Sequence, residues 1–144
     1  MENLLGKAVA PAWGLINQKA PTLGVTGHQL LRLPWQADQA LTYPSIIVTA
    51  PGAALIDLNS RTWRVDTHVT VMASADDSTH GPQWIDDAFF AMQKIFFTTE
   101  IVSDLNQFAA DSVVHSVDFK GISTEVDKAR TIVSSIELEF TMTC

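Results

Sequence analysis

The chain has 144 residues, 47% of them hydrophobic; this length and composition predict one folded domain, residues 1–144, and exclude a disordered segment. The formal net charge of −7 and the scattered basic residues exclude a surface built to bind nucleic-acid phosphates, which needs clustered lysine and arginine. No apolar run approaches the roughly 20 residues that cross a bilayer, and residues 1–20 lack the apolar stretch of a signal peptide. We therefore expect no contact with a membrane.

The first 42 residues predict a short helix followed by an irregular arm. Within residues 2–18, apolar residues recur at spacings that place them on one helical stripe, and Pro11 is expected to kink or divide the helix. The stripe consists of Leu5, Val9, Trp13 and Ile16. Residues 20–44 contain several proline and glycine residues, which predicts an irregular segment. The segment is too apolar for a free linker, so we expect this arm to contact a neighbouring molecule. Its apolar residues are Leu30, Leu31, Leu33 and Trp35.

Residues 43–144 are expected to form the core of sheet and helices, and two strands are predicted in its first half. Ser45–Ala50 is an apolar, β-branched run whose continuous character suggests burial on both faces, and Pro51-Gly52 should end it. Trp63–Ala73 alternates between apolar and polar residues, as in a strand with one buried face. The apolar face would carry Trp63, Val65, Thr67, Val69 and Val71.

Two helices follow in the sequence. Pro82 is well placed as the first residue of an amphipathic helix over residues 82–97, because proline fits the first helical position. Its apolar stripe is Ile85, Phe89, Met92 and Phe96. This spacing predicts a helix whose stripe packs on the core. Ser103–Ala110 is predicted to be a second, shorter helix with Ser103 as its cap.

Two further strands are predicted near the end of the sequence. Val113–Phe119 alternates, and Lys120-Gly121 should end it. The charged run Glu125–Arg130 is expected to be a solvated loop. Thr131–Thr143 then alternates without interruption, which predicts a long strand that either completes the sheet or adds to the sheet of a neighbouring molecule.

No metal or cofactor site is predicted. Asp76, Asp77 and His80 lie in one polar loop, but calcium needs more oxygen ligands and zinc needs more histidine or cysteine ligands than this loop offers. We interpret the loop as solvated and expect no cofactor.

No catalytic residues are predicted either. Asp66 and His68 share one strand face, and Glu137 and Glu139 share another, yet nothing in the sequence marks a pocket beside them. Cys144 is the only cysteine, so it can form no internal disulfide, and no base can be assigned to it. We expect that the protein is not an enzyme.

The order of elements after residue 42 resembles the tail terminator and tail completion proteins of long-tailed bacteriophages. The resemblance covers about 100 residues and begins with the aromatic-proline entry into the first strand, Tyr43-Pro44-Ser45-Ile46-Ile47-Val48. It continues through the strand Trp63–Ala73 and the helix Trp84–Phe96, with the sequence WIDDAFFAMQKIF. It ends with the strand Ile132–Thr143, which follows a segment containing the acidic residue Asp118.

This resemblance implies a domain with a mostly antiparallel sheet and helices on one face. Together with the elements above, it leads us to expect an α+β fold with one main amphipathic helix, a shorter helix and an irregular N-terminal arm. It also implies a structural virion protein that is assembled in the host cytoplasm and forms a ring, commonly of six subunits. Such a ring caps the tail tube and joins it to the head connector at the neck, and DNA passes through its lumen without specific binding.

The sequence is also compatible with two other functions. The first alternative is a small-ligand-binding domain in which a helix closes over a curved sheet, and the second is a hydrolase that uses Asp66 and His68. The ligand cavity would be lined by Trp63, Phe89, Phe96 and Phe140.

On charge and position, the predicted interface residues are Asp57, Arg61, Trp63, Arg64 and Asp66, together with Leu30, Leu31, Leu33 and Trp35.

Overall fold

The structure, a computed structural model, describes residues 3–144 as a five-stranded sheet with helices packed against it. The elements in chain order are α1 (Leu4–Lys19), a 3-10 turn (Pro21–Leu23), β1 (Gln29–Leu33), β2 (Ser45–Asp57), β3 (Thr62–Ser74), α2 (Pro82–Phe96), α3 (Ile101–Asn106), β4 (Val113–Val126) and β5 (Thr131–Thr143). The predicted α+β class is confirmed. No helix within residues 3–144 is both long and apolar enough to cross a membrane.

The strands lie in the order β1-β2-β3-β5-β4, so β5 is inserted between two strands that precede it in the sequence. β1 is parallel to β2, and the other neighbouring strands are antiparallel. The β3–β5 register is unbroken from Thr62 opposite Thr143 to Ser74 opposite Thr131. This long uninterrupted pairing forms the centre of the sheet.

One face of the sheet is buried under the helices, and the other is open except at β1 and the start of β2, where Leu31 and Ile47 are buried on that side, as predicted for a strand buried on both faces. The predicted alternation of β3 and β5 is confirmed, because Val65, Val69 and Val71 are buried, as are Leu138 and Phe140. The buried residues of α1, α2 and α3 join these strand residues in one cluster, so the three helices share this face. Burial of this apolar surface is the main source of stability for the fold.

The N-terminal helix is more regular than the sequence predicts. The side chain of Asn3 caps α1 by accepting a hydrogen bond from the Gly6 N–H at 2.9 Å. Pro11 lies inside α1 and does not divide it, which corrects the expected break. Pro11 gives no N–H to the Lys7 carbonyl, but the fully buried residues on either side of it hold the helix against the core. These residues are Ala8, Val9, Ala12, Leu15 and Ile16.

The expected irregular arm contains a strand, which is a second correction. Gln29–Leu33 pairs in parallel with Ser45–Thr49 and forms one edge of the sheet. The shorter helix also differs from its prediction, because α3 spans Ile101–Asn106 and Ser103 lies inside it rather than at its cap. In contrast, the predicted helix over residues 82–97 matches α2 to within one residue.

Both β2 and β4 continue past the residues that were expected to end them. Pro51-Gly52 falls at a register shift between Thr49 and Gly52, and β2 continues to Asp57. A second shift lies between Phe119 and Gly121, and β4 continues to Val126 through part of the predicted loop. Proline and glycine are tolerated at such β-bulges because the local pairing is already interrupted there.

Asn106 ties the end of α3 to the start of β4. Its side-chain amide donates to the Val114 carbonyl at 2.9 Å, and its Oδ1 accepts from the Val114 N–H at 2.8 Å. We expect Asn106→Ala to lower the free energy of unfolding by about 1–3 kcal/mol, because it leaves buried backbone groups unpaired. Urea unfolding measures this loss, and Asn17→Ala on the exposed surface of α1 is the control. Equal unfolding midpoints for the two variants would contradict this role.

Candidate assembly surfaces

The acidic loop between β3 and α2 is organised by its own hydrogen bonds. Asp77 Oδ1 accepts the backbone N–H groups of Thr79 at 2.8 Å and His80 at 2.9 Å. These bonds, first that from His80 and then that from Thr79, lower the pKa of Asp77. Asp76 pairs with Arg130 at 2.8 Å. Within residues 3–144 no group of three or more His, Cys, Asp or Glu side chains is placed to hold a metal ion.

The open face of the sheet carries Asp66 and His68 of β3 together with Glu137 and Glu139 of β5. Asp66 lies opposite Glu139 of β5, and His68 lies opposite Glu137. Asp118 of β4 lies on the other side of Glu139, so three carboxylates occupy neighbouring positions across three strands. Like charges directly opposite one another are unfavourable in a sheet. The structure therefore places Asp66 and His68 on an acidic surface of the open sheet face.

Two other titratable groups lie beside the core. Burial raises the pKa of the Cys144 thiol, which disfavours the reactive thiolate. Partial burial lowers the pKa of His28, and a hydrogen bond with the Thr26 backbone opposes this effect. The His28 ring lies 6.0 Å from the Trp84 ring, centroid to centroid. We interpret both groups as part of the packing around the core.

The connection between β2 and β3 exposes a set of apolar side chains. We define the hairpin patch as Leu55, Ile56 and Leu58, and Leu58 is 74% exposed. Asp57 Oδ1 accepts the Asn59 N–H at 3.0 Å within the turn, and Arg61 adopts a positive φ of 55°. β1 ends opposite Thr49, so this half of β2 has a strand partner on one side only. The patch therefore lies at an edge of the sheet, on a segment of β2 whose backbone pairs with β3.

A second apolar surface lies between the end of α2 and the middle of β4. The β4 groove, with a volume of about 320 Å³, has Phe96, Ile101 and Leu138 at its base and Phe97, Val117 and Phe119 at its sides. The rings of Phe97 and Phe119 meet edge to face, with centroids 4.7 Å apart. Phe97 is 45% exposed and Phe119 is 50% exposed.

The helical layer is narrower than the sheet, which explains why the β4 groove is open. α2 packs on β3 and β5, and α3 packs on β4. Beyond Phe119, the exposed residues Ile122 and Val126 lie opposite the buried residues Ile136 and Ile132 of β5, so they belong to the helix-facing side of the sheet. An exposed apolar strip of this kind is a candidate surface for contact with another molecule.

The predicted interface residues fall in two places. One set lies on the β2–β3 hairpin that carries the hairpin patch: Asp57, Arg61, Trp63, Arg64 and Asp66. The other set lies in and beside β1: Leu30, Leu31, Leu33 and Trp35. Leu31 is 1% exposed, so it is not available at the surface, whereas the other three are half-buried. No observation tests the interface itself, and the remaining residues stay predictions.

The sequence reasoning missed the aromatic residues of the β4 groove. Val117 and Phe119 alternate with polar residues in the sequence, and this pattern predicts only a buried strand face. The residues proposed for a ligand cavity do not come together at the groove. Phe96 lines it, whereas Phe140 is fully buried in the core.

Comparisons with known proteins identify the fold. No protein-family model and no curated protein matches this sequence. Among solved structures, the fold is similar to that of a chain in the "Virion of native gene transfer agent (GTA) particle", with a TM-score of 0.65 and 10% sequence identity. The alignment covers 97% of this chain and 96% of that chain. At this identity the similarity is one of fold, and it includes the N-terminal region as well as the core.

Proposed function

We propose that the chain is a structural protein of a phage-like virion. The observation that carries this proposal is the fold similarity to a virion-particle chain, because the alignment covers nearly the whole length of both chains. The order of elements from Tyr43 onward, which resembles tail terminator proteins, gives independent support. The two exposed apolar surfaces also suit a protein that works in an assembly.

Within this class we propose a tail terminator that forms a ring of six subunits. The ring would cap the tail tube, join it to the head connector at the neck and bind the tail tube protein and the connector protein. Six copies would carry a formal charge of about −42, and like charge would keep DNA from binding inside the lumen. Asp66, Glu137 and Glu139 contribute to this acidic character on the open sheet face. We propose no enzymatic role.

The mass of the purified protein in solution tests the ring. We expect light scattering after size exclusion to give a mass several times the 15.7 kDa of one chain, and negative-stain images of the same peak to show rings. Assembly that occurs only at high concentration or on added tail tubes would support the same conclusion. A stable monomer that forms no rings under either condition would contradict it.

A small-ligand-binding role is the second candidate. The β4 groove favours it, because its volume of about 320 Å³ lies at the lower end of the range of ligand pockets. Native mass spectrometry of the purified protein distinguishes the two functions. A bound small molecule that is lost on Phe119→Asp substitution would favour ligand binding, whereas a ring without added mass per subunit would favour the assembly role.

A further inference from the structure

We propose that the edge of β2 beyond the end of β1 pairs with the end of β4 in the next copy of the chain, so that one antiparallel sheet runs through neighbouring subunits. This inference rests on the proposed ring function and assigns the contact that builds the ring. The partner on each side is a second copy of this chain. Because the two edges differ, the contact is head-to-tail, which is the type of interface that closes into rings.

Two segments at opposite edges of the sheet have one unpaired side. β1 ends opposite Thr49, so residues 52–57 of β2 pair with β3 on one side and with no strand of residues 3–144 on the other. β4 lies at the other edge and, among the described strands, pairs with β5 alone. Residues 53–57 and 122–126 are all exposed. The unpaired N–H and C=O groups of such an edge are a template for another strand.

The directions and lengths of the two segments are compatible. β2 is antiparallel to β3, β3 to β5 and β5 to β4, so β2 and β4 run in opposite directions. Copies that lie side by side with their sheets facing the same way therefore bring these two edges together as an antiparallel pair. The gap along β2 beyond the end of β1 spans residues 50–57 and is longer than the segment 121–126. The end of β4 therefore fits beyond β1 of the next copy.

One residue on each side of this contact carries a charge on the open face of the sheet. Arg64 of β3 lies opposite Ala54 of β2 on this face. Glu125 of β4 lies on the same face, because it is opposite Val133, which is opposite Met72 of β3. Arg64 and Glu125 are both exposed, and neither is in an ion pair within residues 3–144. The two side chains are therefore available to each other across the contact.

The charges favour the register in which Glu125 lies beside Ala54 of the next copy. In this register Glu125 and Arg64 of the next copy are two strand spacings apart, roughly 10 Å, and both side chains are long enough to meet over the methyl group of Ala54. A shift of two residues towards Gly52 would bring Glu125 to the acidic Asp66, which lies opposite Gly52. Opposite charges at such a contact set its orientation and register.

The same register places apolar side chains together on the helix-facing side. Val126 lies beside Ala53 of the next copy, and Thr124 lies beside Leu55. All four belong to the helix-facing side of their sheets. Val126 and Leu55 become diagonal neighbours, and both are exposed in the single chain. The contact therefore removes apolar surface from water as well as pairing two strand edges.

Reversing the two charges, singly and together, tests the register. Arg64→Glu and Glu125→Arg each bring like charges together, whereas the double variant restores an opposite pair. We expect each single variant to need about ten times the wild-type concentration to form rings, and the double variant to assemble at the wild-type concentration. Sedimentation velocity measures assembly, and circular dichroism checks each fold. Lys94→Glu, on the exposed surface of α2, is the matched control and should assemble as the wild type does.

Amide hydrogen exchange tests the strand pairing itself. We expect residues 52–57 and 121–126 to exchange more slowly in wild-type rings than in the monomeric Arg64→Glu protein, because the outward N–H groups of both segments gain hydrogen bonds between subunits. Mass spectrometry of peptides from both samples measures this difference.

Each other result overturns a defined part of the proposal. Single variants that assemble as the wild type does, or a double variant that assembles no better than the single ones, would overturn the charge pair and its register. Rings in which both segments exchange as fast as in the monomer would overturn the strand pairing and leave the ring function standing. A wild type that remains monomeric at every concentration and on tail tubes would overturn the proposed function together with this contact.

Discussion

Replacing Phe140 with alanine is expected to lower the free energy of unfolding by about 3–5 kcal/mol. Phe140 is the largest fully buried side chain, and it lies in the central strand pairing opposite Val65 of β3 and Val117 of β4. Alanine would leave a cavity that the surrounding β3, β4 and helical layer cannot close, because all of them are fixed by other contacts. Urea unfolding followed by circular dichroism measures the loss.

Phe90→Ala is the matched control for this substitution. Phe90 belongs to α2, is 58% exposed, and its ring centroid lies 4.6 Å from Lys94 Nζ. Removing an exposed ring and one surface cation–π contact should cost less than about 1 kcal/mol. If Phe90→Ala and Phe140→Ala lowered stability by the same amount, the packing described for β5 would be wrong.

We expect Gly81→Ala to destabilise the protein by about 3 kcal/mol or more. Gly81 precedes α2, and a Cβ at this position would overlap the Asp77 carbonyl oxygen and lie 2.9 Å from the Ser74 carbonyl oxygen. Both are backbone atoms, so a side-chain rotation cannot relieve the overlap. The first turn of α2 would also be disturbed, because the Gly81 carbonyl accepts the Ile85 N–H at 3.0 Å. Thermal and urea unfolding measure the effect.

Gly52→Ala separates this steric effect from a general effect of replacing glycine. A Cβ at Gly52 meets no atom within 4 Å, and the residue lies in β2 without a positive φ. We expect its stability to stay within about 0.5 kcal/mol of the wild type. A Gly81→Ala protein as stable as Gly52→Ala would show that the loop before α2 adapts to a side chain.

The elements with strong periodicity were predicted well because each has one buried side, and burial of one side gives a periodic pattern of apolar residues. β5 matches its prediction at both ends, β3 differs by one residue at each end, and α2 differs at its last residue only. In each of these elements, apolar residues alternate or recur with the period of the structure, and the helix-facing positions are buried. A local sequence pattern is sufficient to predict where such elements begin and end.

The elements that were missed depend on pairing with distant residues. The second half of β2 and the second half of β4 are exposed, so no burial pattern marks them as strands. Their backbones pair with β3 and β5, and the register shifts accommodate the residues that usually end a strand. β1 has only five residues, and its parallel partner begins 16 positions later in the sequence. Pairing between residues so far apart in the sequence leaves no pattern in either segment that predicts a strand.

The two exposed apolar surfaces differ in how much of them the sequence indicates. Asp57, Arg61 and Arg64 of the hairpin are predicted interface residues on charge and position, and this stays a prediction. The β4 groove could not be identified, because the exposure of Phe97 and Phe119 depends on how far the helices extend across the sheet. The width of a helical layer is a property of the packed molecule and has no counterpart in a single segment of sequence.

The position of β5 in the sheet also determines when the protein can fold during its synthesis. β4 is joined to the rest of the sheet only through β5, which follows it in the chain. On the ribosome, the β2–β3 hairpin and α2 can form early, but β4 has no strand to pair with until β5 has emerged. A nascent chain that stalls before Thr131 would therefore expose β4 with both of its edges free, and such an edge invites aggregation.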